Sequence, residues 1–196
     1  QLHTGSFQFV RPSVGAWVLY GLGSENENLP GFISMCPEER VGGAQNYGSS
    51  FLPAYYQGTA IGKIGRAPSA ADLDNIKSRF DPQTQRRQID LVQTLNKGLL
   101  ERKPHNEQLE GVIESYELAF RMQSAVPEVM DIGREPQYVL DAYGAEPGGS
   151  SLANNCLLAR RLVEAGVRYV QLFDWGWDFH GTRKEQGLNE GLTNKC

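Results

Sequence analysis

The chain has 196 residues, which is enough for one substantial hydrophobic core, so we expect a single domain. Apolar residues make up 40% and charged residues 21%, and no apolar run approaches the roughly 20 residues that a membrane-spanning helix needs. The net charge of -4, with basic residues interleaved among acidic ones, argues against a nucleic-acid surface. These values exclude a membrane span and a nucleic-acid partner from our expectations.

The first third of the chain predicts one helix, two short strands and long ordered loops. SVGAWVLYGLG (13–23) predicts a short helix, capped by serine and closed by glycine, with Trp17, Val18 and Tyr20 available for burial. LPGFISM (29–35) predicts a short buried strand, and TAIGKIG (59–65) a second one. The glycine-rich and aromatic stretch 37–69 is typical of ordered loops that line sites.

The middle of the chain predicts two amphipathic helices, near 84–102 and 106–125, separated by Pro104. Their apolar stripes predict packing against other helices and a sheet. Each stripe has four residues at helical spacing: Ile89, Val92, Leu95 and Leu99 in the first helix, and Leu109, Ile113, Tyr116 and Phe120 in the second. Pro127 and Pro136 each predict the start of a further short helical piece, since proline fits a first helical turn.

The last regular stretch predicts a helix followed closely by a strand. SLANNCLLARRLVEAG (151–166) has a serine cap and a glycine stop, and VRYVQLF (167–173) is apolar and β-branched. This order is the second half of a β-α-β crossover. We therefore expect an α/β fold with a mainly parallel sheet covered by helices.

The strand ending at Phe173 runs into DWGWDFHG (174–181), where an open parallel sheet places its ligands. Asp178 and His180 are two residues apart, so on an extended loop their side chains point to the same side and can meet at one cation. Oxygen plus nitrogen ligation suits zinc, manganese or iron better than calcium. Asp174 is the third, second-rank ligand candidate.

Spacing alone leaves a structural interpretation of this loop open. In that interpretation Trp175 and Trp177 fill the core, Asp178 caps the following helix, and His180 is a surface histidine. His3 and His105 stand among polar neighbours and are expected to be solvated. The cysteines Cys36, Cys156 and Cys196 lie far apart, so they indicate neither a zinc site nor a disulfide framework.

Arg11-Pro12-Ser13 is the second candidate site, because a proline-fixed turn before a helix N-terminus can cradle an oxyanion. Arg11 would be the charge partner of the anion. Ser13 would be a nucleophile if a base or metal reached it, and a plain N-cap residue otherwise. No Gly-x-Ser-x-Gly elbow, phosphate-binding loop or dinucleotide fingerprint occurs.

Four segments occur in an order that resembles the central part of a known family: RPSVGAWVLYGLGSENENLPGF, YGSSFLPAYYQGTAI, ESYELAFRMQSAVPEVMDI and NCLLARRLVEAGVRYVQLFDWGWDFHG. This is the sulfatase-like family called domain of unknown function 1501, within the alkaline-phosphatase-like superfamily. The resemblance implies a three-layer α/β/α fold, of which residues 1–196 would be a single partial domain. It also implies an exported bacterial protein, periplasmic or secreted.

The same resemblance implies roles for particular residues. Asp178 and His180 match a Trp-Asp-x-His-Gly motif that resembles one of the superfamily's metal-ligand pairs, and Arg11 to Ser13 resemble the turn that follows the sulfatase nucleophile. Val10 stands where a sulfatase carries its modifiable cysteine or serine, so a formylglycine nucleophile is not expected. The family's further ligand segments would lie outside this chain, so we expect the chain alone to be inactive.

Two functions are expected from these observations. The first is metal-dependent hydrolysis of the sulfate or phosphate esters of a small molecule or polysaccharide, with a divalent cation held by Asp178, His180 and residues outside the chain. The second is non-catalytic extracytoplasmic binding on the same fold, with the aromatic loop 47–56 as platform. Ligands beyond residue 196 would favour the first.

Overall fold

The computed structural model describes residues 2–6, 8–38, 42–63, 68, 78–102, 106–177, 180 and 188–195. Three strands and six α-helices form within these residues. The strands are β1 (Phe32–Met35), β2 (Thr59–Ile61) and β3 (Tyr169–Leu172); the helices are α1 (Val14–Leu22), α2 (Pro82–Arg102), α3 (Glu107–Met130), α4 (Gln137–Tyr143), α5 (Leu152–Glu164) and α6 (Leu188–Lys195). Short 3-10 helices span Gly43–Asn46, Ala54–Tyr56 and Ile132–Arg134.

The three strands form one parallel sheet in the order β2-β1-β3. Ile33 pairs with Thr59 on one side and Val170 on the other, so β1 is the central strand. All four residues of β1 are buried, as a central parallel strand requires. The α/β class and the parallel sheet are therefore confirmed, and the strands are shorter than the predicted segments 29–35, 59–65 and 167–173.

One face of the sheet is covered by α1, and Phe32 is the side chain on which the helix rests. A Cβ atom at Gly15 would lie 2.5 Å from the Phe32 ring, and one at Gly58 would lie 2.7 Å from it. The Phe32 ring also meets the Tyr169 ring edge-on, with the two centroids 5.3 Å apart. Two glycines thus let helix and loop close on a buried phenylalanine.

The opposite face of the sheet carries the larger core. Ile33 and Met35 alternate with Phe32 along β1, and so they point to the other side. They pack among apolar residues from α3, α4 and α5: Met122, Val126, Met130, Val139, Leu140, Leu157, Leu158 and Leu162. The sheet therefore has helices on both faces.

Helix α1 begins and ends as its sequence predicts. The Ser13 hydroxyl accepts a hydrogen bond from the Ala16 N–H at 3.4 Å, and Gly23 ends the helix at φ 67°. The buried face, however, consists of Gly15, Ala16 and Leu19. The expectation that Trp17 and Tyr20 are buried is wrong, because at positions 17 and 20 they share the opposite, exposed side of the helix.

Helices α2 and α3 pack as a hairpin through polar contacts. The Arg86 guanidinium donates to both Glu117 carboxylate oxygens at 2.8 and 2.7 Å, and the Gln93 amide donates to the Ile113 carbonyl at 2.8 Å. Leu95 and Leu99 are exposed, so the prediction that the whole α2 stripe packs in a core is wrong. The polar contacts of Arg86 and Gln93 therefore join α2 to α3, together with the partly buried first half of the stripe, Ile89 and Val92.

Pro127 lies inside α3 and does not begin a new helix, contrary to our prediction. Proline removes one N–H from the helical ladder, but the two flanking core residues hold the last turn in place. Val126 and Met130 are both buried against the sheet. Pro136, in contrast, is the N-cap of α4, close to the predicted start.

The crossover from α5 to β3 confirms the sequence prediction. The Ser151 hydroxyl caps α5 through the Asn154 N–H at 3.1 Å, and Gly166 after the helix has φ 94°. The helix thus leads directly into β3, which runs parallel to β1, and the loop that contains Asp174 begins where β3 ends. No helix among the described residues is both long and apolar enough to cross a membrane.

Candidate functional site at the carboxyl edge of the sheet

The carboxyl ends of all three strands meet at one edge of the sheet. The Cys36 N–H, directly after β1, donates to the Ile61 carbonyl of β2 at 2.7 Å. The Phe173 N–H, directly after β3, donates to the Met35 carbonyl of β1 at 3.0 Å. The residues that follow each strand are thereby held side by side, where parallel sheets bind ligands.

His3 contacts residues next to both candidate motifs, the Arg11-Pro12-Ser13 turn and the loop after Phe173. Its backbone carbonyl accepts a hydrogen bond from the Val14 N–H at 2.7 Å, and its ring lies 5.0 Å from the Phe173 ring. Burial lowers the pKa of this imidazole, while a hydrogen bond with Gln171 opposes part of the shift. The prediction that His3 is solvated is wrong, because contacts across the sheet edge hold it.

Ser13 sits fully buried at the N-terminus of α1. Its N–H donates to the Gly48 carbonyl at 3.0 Å, and its hydroxyl takes the N-cap role toward Ala16. Together with the bond from Val14 to His3, several N–H groups of this turn already have protein acceptors. Arg11 is exposed, with its guanidinium 5.8 Å from the centroid of the Phe9 ring, and is the charged group of the motif open to an anion.

The tryptophans of the loop after β3 face solvent and do not pack in the core. The Trp177 indole N–H donates to the Asp174 carboxylate at 2.7 Å, and Gly176 between them has φ 85°. Trp175 is 60% exposed and Trp177 44% exposed. The structural alternative in which these tryptophans fill the core is therefore wrong, and Asp174 is oriented by one of them.

The three metal-ligand candidates are described unequally. Asp174 is half-buried and His180 is exposed, whereas Asp178 lies outside the described residues, as does His105. Among the described residues, no three His, Cys, Asp or Glu side chains are grouped closely enough to hold a metal ion. The carboxylate and imidazole types fit a zinc or manganese ion, and their joint geometry stays a prediction.

Two thiols lie within the electrostatic reach of Asp174. Burial, followed by the Asp174 charge, raises the pKa of Cys36 to about 11 and also raises the pKa of Cys156. Both are free thiols. Cys36 has φ 50°, a left-handed conformation that is uncommon for residues other than glycine and is often found at functional sites.

The same end of the sheet holds buried polar atoms without partners among the described residues. These atoms are the Ser34 hydroxyl and the side-chain carbonyl of Asn155. Ser34 and Gln171 are paired in register on neighbouring strands, on the face toward α1. Native proteins rarely leave such atoms unsatisfied, so they mark places for water or a bound polar group.

Sequence reasoning missed His3, Cys36 and Gln171. Cys36 directly follows a predicted buried strand, so the rule that placed Asp174 could also have selected Cys36. Gln171 is a polar residue in an apolar strand, which is another usable signal. His3 offers no local signal, because its position depends on contacts with residues far along the chain.

The fold and this edge define an α/β protein with a small parallel sheet, whose thiol, carboxylate and amide groups gather where the strands end. Over residues 1–196 the chain matches the family model described as "Protein of unknown function (DUF1501)", and it belongs to that family. The resemblance of the four segments to the domain of unknown function 1501 family is thereby confirmed. No curated protein and no solved structure gives a significant match to the chain.

Proposed function

We propose that this chain is part of a metal-dependent hydrolase of sulfate or phosphate esters, with an alkaline-phosphatase-like α/β/α fold and an extracytoplasmic location. One observation carries the proposal: the Arg11-Pro12-Ser13 turn and the loop after Phe173 lie at the same sheet edge, joined by His3. These are the two motifs with candidate ester chemistry, and 160 or so residues separate them in the sequence.

Each motif supplies a different requirement of ester hydrolysis. Asp178 and His180, with Asp174 beside them, would hold a divalent cation such as zinc or manganese through oxygen and nitrogen donors. Such an ion supplies Lewis-acid polarisation of the ester when it is bound. Arg11, exposed at the same edge, would bind the sulfate or phosphate oxygens through its guanidinium.

Neighbouring residues hold the candidate metal ligand Asp174 and the anion-binding residue Arg11 in position. The Trp177 indole orients the Asp174 carboxylate, which fixes one candidate donor before any ligand arrives. The buried Ser13 hydroxyl rigidifies the turn that presents Arg11. A nucleophilic role for Ser13 would need its hydroxyl to leave the N-cap bond, so we assign the serine to positioning.

The test is turnover of aryl sulfate and aryl phosphate esters by the intact protein, with and without a chelator. We expect hydrolysis that the chelator abolishes and that zinc or manganese restores. The Asp178→Ala variant should lose this activity by at least about a hundredfold, since a metal ligand is removed. Arg11→Ala should raise KM for either ester more than it lowers kcat.

Asp141→Asn is the matched control, because this exposed aspartate on α4 bonds only to Gln137 among the described residues. Its turnover should equal that of the unaltered protein. Equal turnover in the Asp178→Ala variant, at an unchanged melting temperature, would contradict the assignment of the metal site. Absence of any ester turnover in the metal-loaded intact protein would favour the non-catalytic binding function instead.

A further inference from the structure

A groove between α1, α3 and the 3-10 helix Ala54–Tyr56 stands apart from the sheet edge. It has a volume of about 270 Å3, below the range of pockets for drug-sized ligands, so it suits a small group. Its lining combines aromatic rings with two carboxylates: Tyr20, Pro53, Tyr55, Tyr56, Glu110, Gly111 and Glu114.

The aromatic side of the groove is preorganised. Tyr56 meets Tyr20 edge-on at 5.2 Å between centroids and meets Tyr55 edge-on at 5.3 Å. Tyr20 in turn contacts Trp17, which contacts Phe51, at 5.9 and 5.8 Å. Rings that brace one another lose little freedom when a ligand binds, which lowers the entropic cost of binding.

The opposite side of the groove carries two negative charges. Glu110 and Glu114 are four residues apart on α3, so their side chains are neighbours and repel each other. Neither has an ion-pair partner among the described residues, whereas the nearby Arg121 pairs with Glu27 at 3.2 Å. Glu114 also contributes to raising the pKa of the Tyr55 phenol, after burial, which places its charge close to that ring.

We propose that this groove binds a compact organic ammonium ion, which inserts between the tyrosine rings and the carboxylates of Glu110 and Glu114. A cation over aromatic faces is attracted by their quadrupoles, and the two carboxylates add charge attraction. The like-charge repulsion along α3 is relieved when the cation binds. A neutral sugar would use the rings and leave this repulsion in place.

The test is calorimetric titration of the intact protein with choline, and with 3,3-dimethylbutan-1-ol, its uncharged isostere with carbon in place of nitrogen. We expect choline to bind, the alcohol to bind at least about tenfold more weakly, and choline affinity to fall as salt is raised to about 0.5 M. A lysine amide, which carries a primary ammonium ion, is titrated in a parallel experiment. Stronger binding of the lysine amide than of choline would identify the source of the cation as a peptide.

Variants distinguish choline binding in the groove from attraction by the net charge of the protein. The double variant Glu110→Gln/Glu114→Gln should weaken choline binding at least about tenfold, and Tyr55→Ala should do the same while Tyr55→Phe retains binding. Glu128→Gln/Glu164→Gln makes the same change in net charge away from the groove and should leave affinity unchanged. Both glutamates of this control are exposed.

The proposal is overturned if the control pair weakens choline binding as much as the groove pair. It is also overturned if choline does not bind, or if methyl glucoside binds the groove variants and the unaltered protein equally and more tightly than choline. The glutamine variants remove repulsion on α3, so they should fold as well as the parent. The readout is binding, so failure of ester hydrolysis would leave this result unaffected.

Discussion

At the scale of single residues, Cys36 shows how position gives a common side chain an unusual environment. It follows the central strand directly, is almost completely buried and has a left-handed backbone. The strand end also brings it under the influence of Asp174, so both burial and charge disfavour its thiolate. The thiol at this edge is therefore held protonated and unreactive at neutral pH.

We expect Cys36 in a Cys156→Ser/Cys196→Ser background to react with iodoacetamide far more slowly in the native protein than in urea at pH 8. Because the folded pKa of about 11 lies above the ordinary value of 9.0, the folded state keeps its proton longer than the unfolded state. The stabilisation from this thiol is complete below pH 9 and is lost as pH rises toward 11. Urea unfolding across that range measures it.

The Cys36→Ala variant in the same background is the control for other groups that titrate in alkali. Its free energy of unfolding should fall less steeply between pH 9 and 11 than that of the protein with Cys36. Equal slopes for the two proteins, or native alkylation as fast as in urea, would contradict the buried, protonated thiol.

Residues also show where sequence reasoning succeeds. The Ser13 and Ser151 caps and the glycine stops after α1 and α5 were predictable, because each depends on a few neighbouring residues. The place of His3 was not, since it is fixed by the Val14 N–H and the Phe173 ring. Long-range contacts leave no periodic trace in a single sequence.

At the scale of elements, the contact between α1 and the sheet depends on the absence of a side chain at Gly15. The helix carries the Arg11-Pro12-Ser13 turn at its start, so its distance from β1 also sets the height of that turn above the sheet edge. Phe32 is fully buried and enclosed by Gly58 and Tyr169 as well, and so its ring has little room to move away.

Gly15→Ala should therefore lower the free energy of unfolding by about 1–3 kcal/mol, because a new methyl group would overlap the Phe32 ring. Gly21→Ala is the matched control in the same helix, where an added Cβ meets nothing within 4 Å. The control should stabilise the protein by about 0.4–1 kcal/mol, since alanine favours helix. Urea unfolding measures both, and equal effects would contradict the close contact.

The stripes of α2 and α3 show why element packing is harder to predict than element type. Apolar spacing correctly indicates both helices, yet Leu95 and Leu99 are exposed while Gln93 is buried. The Arg86–Glu117 ion pair and the Gln93 bond to the Ile113 carbonyl lie on the side of α2 that faces α3. Polar partners of this kind are invisible to hydrophobic periodicity.

At the scale of the whole molecule, the parallel sheet could be predicted from one crossover, because a glycine-stopped helix leading into a β-branched strand has few other solutions. The strand order β2-β1-β3 could not, since β1 and β3 are separated by more than a hundred residues. The candidate site follows the same division. Topology located its loop after Phe173 and could also have located Cys36, whereas the place of His3 at this edge is visible only in the fold.

The central claim is that the edge where the three strands end forms part of a metal site used for ester hydrolysis. Its most direct measurement is the metal content of the intact protein after dialysis, by mass spectrometry, for the unaltered chain and for Asp178→Ala and His180→Ala. We predict a stoichiometric divalent ion, zinc or manganese, in the unaltered protein and its loss in both variants. Metal retained at full stoichiometry in both folded variants would contradict the account.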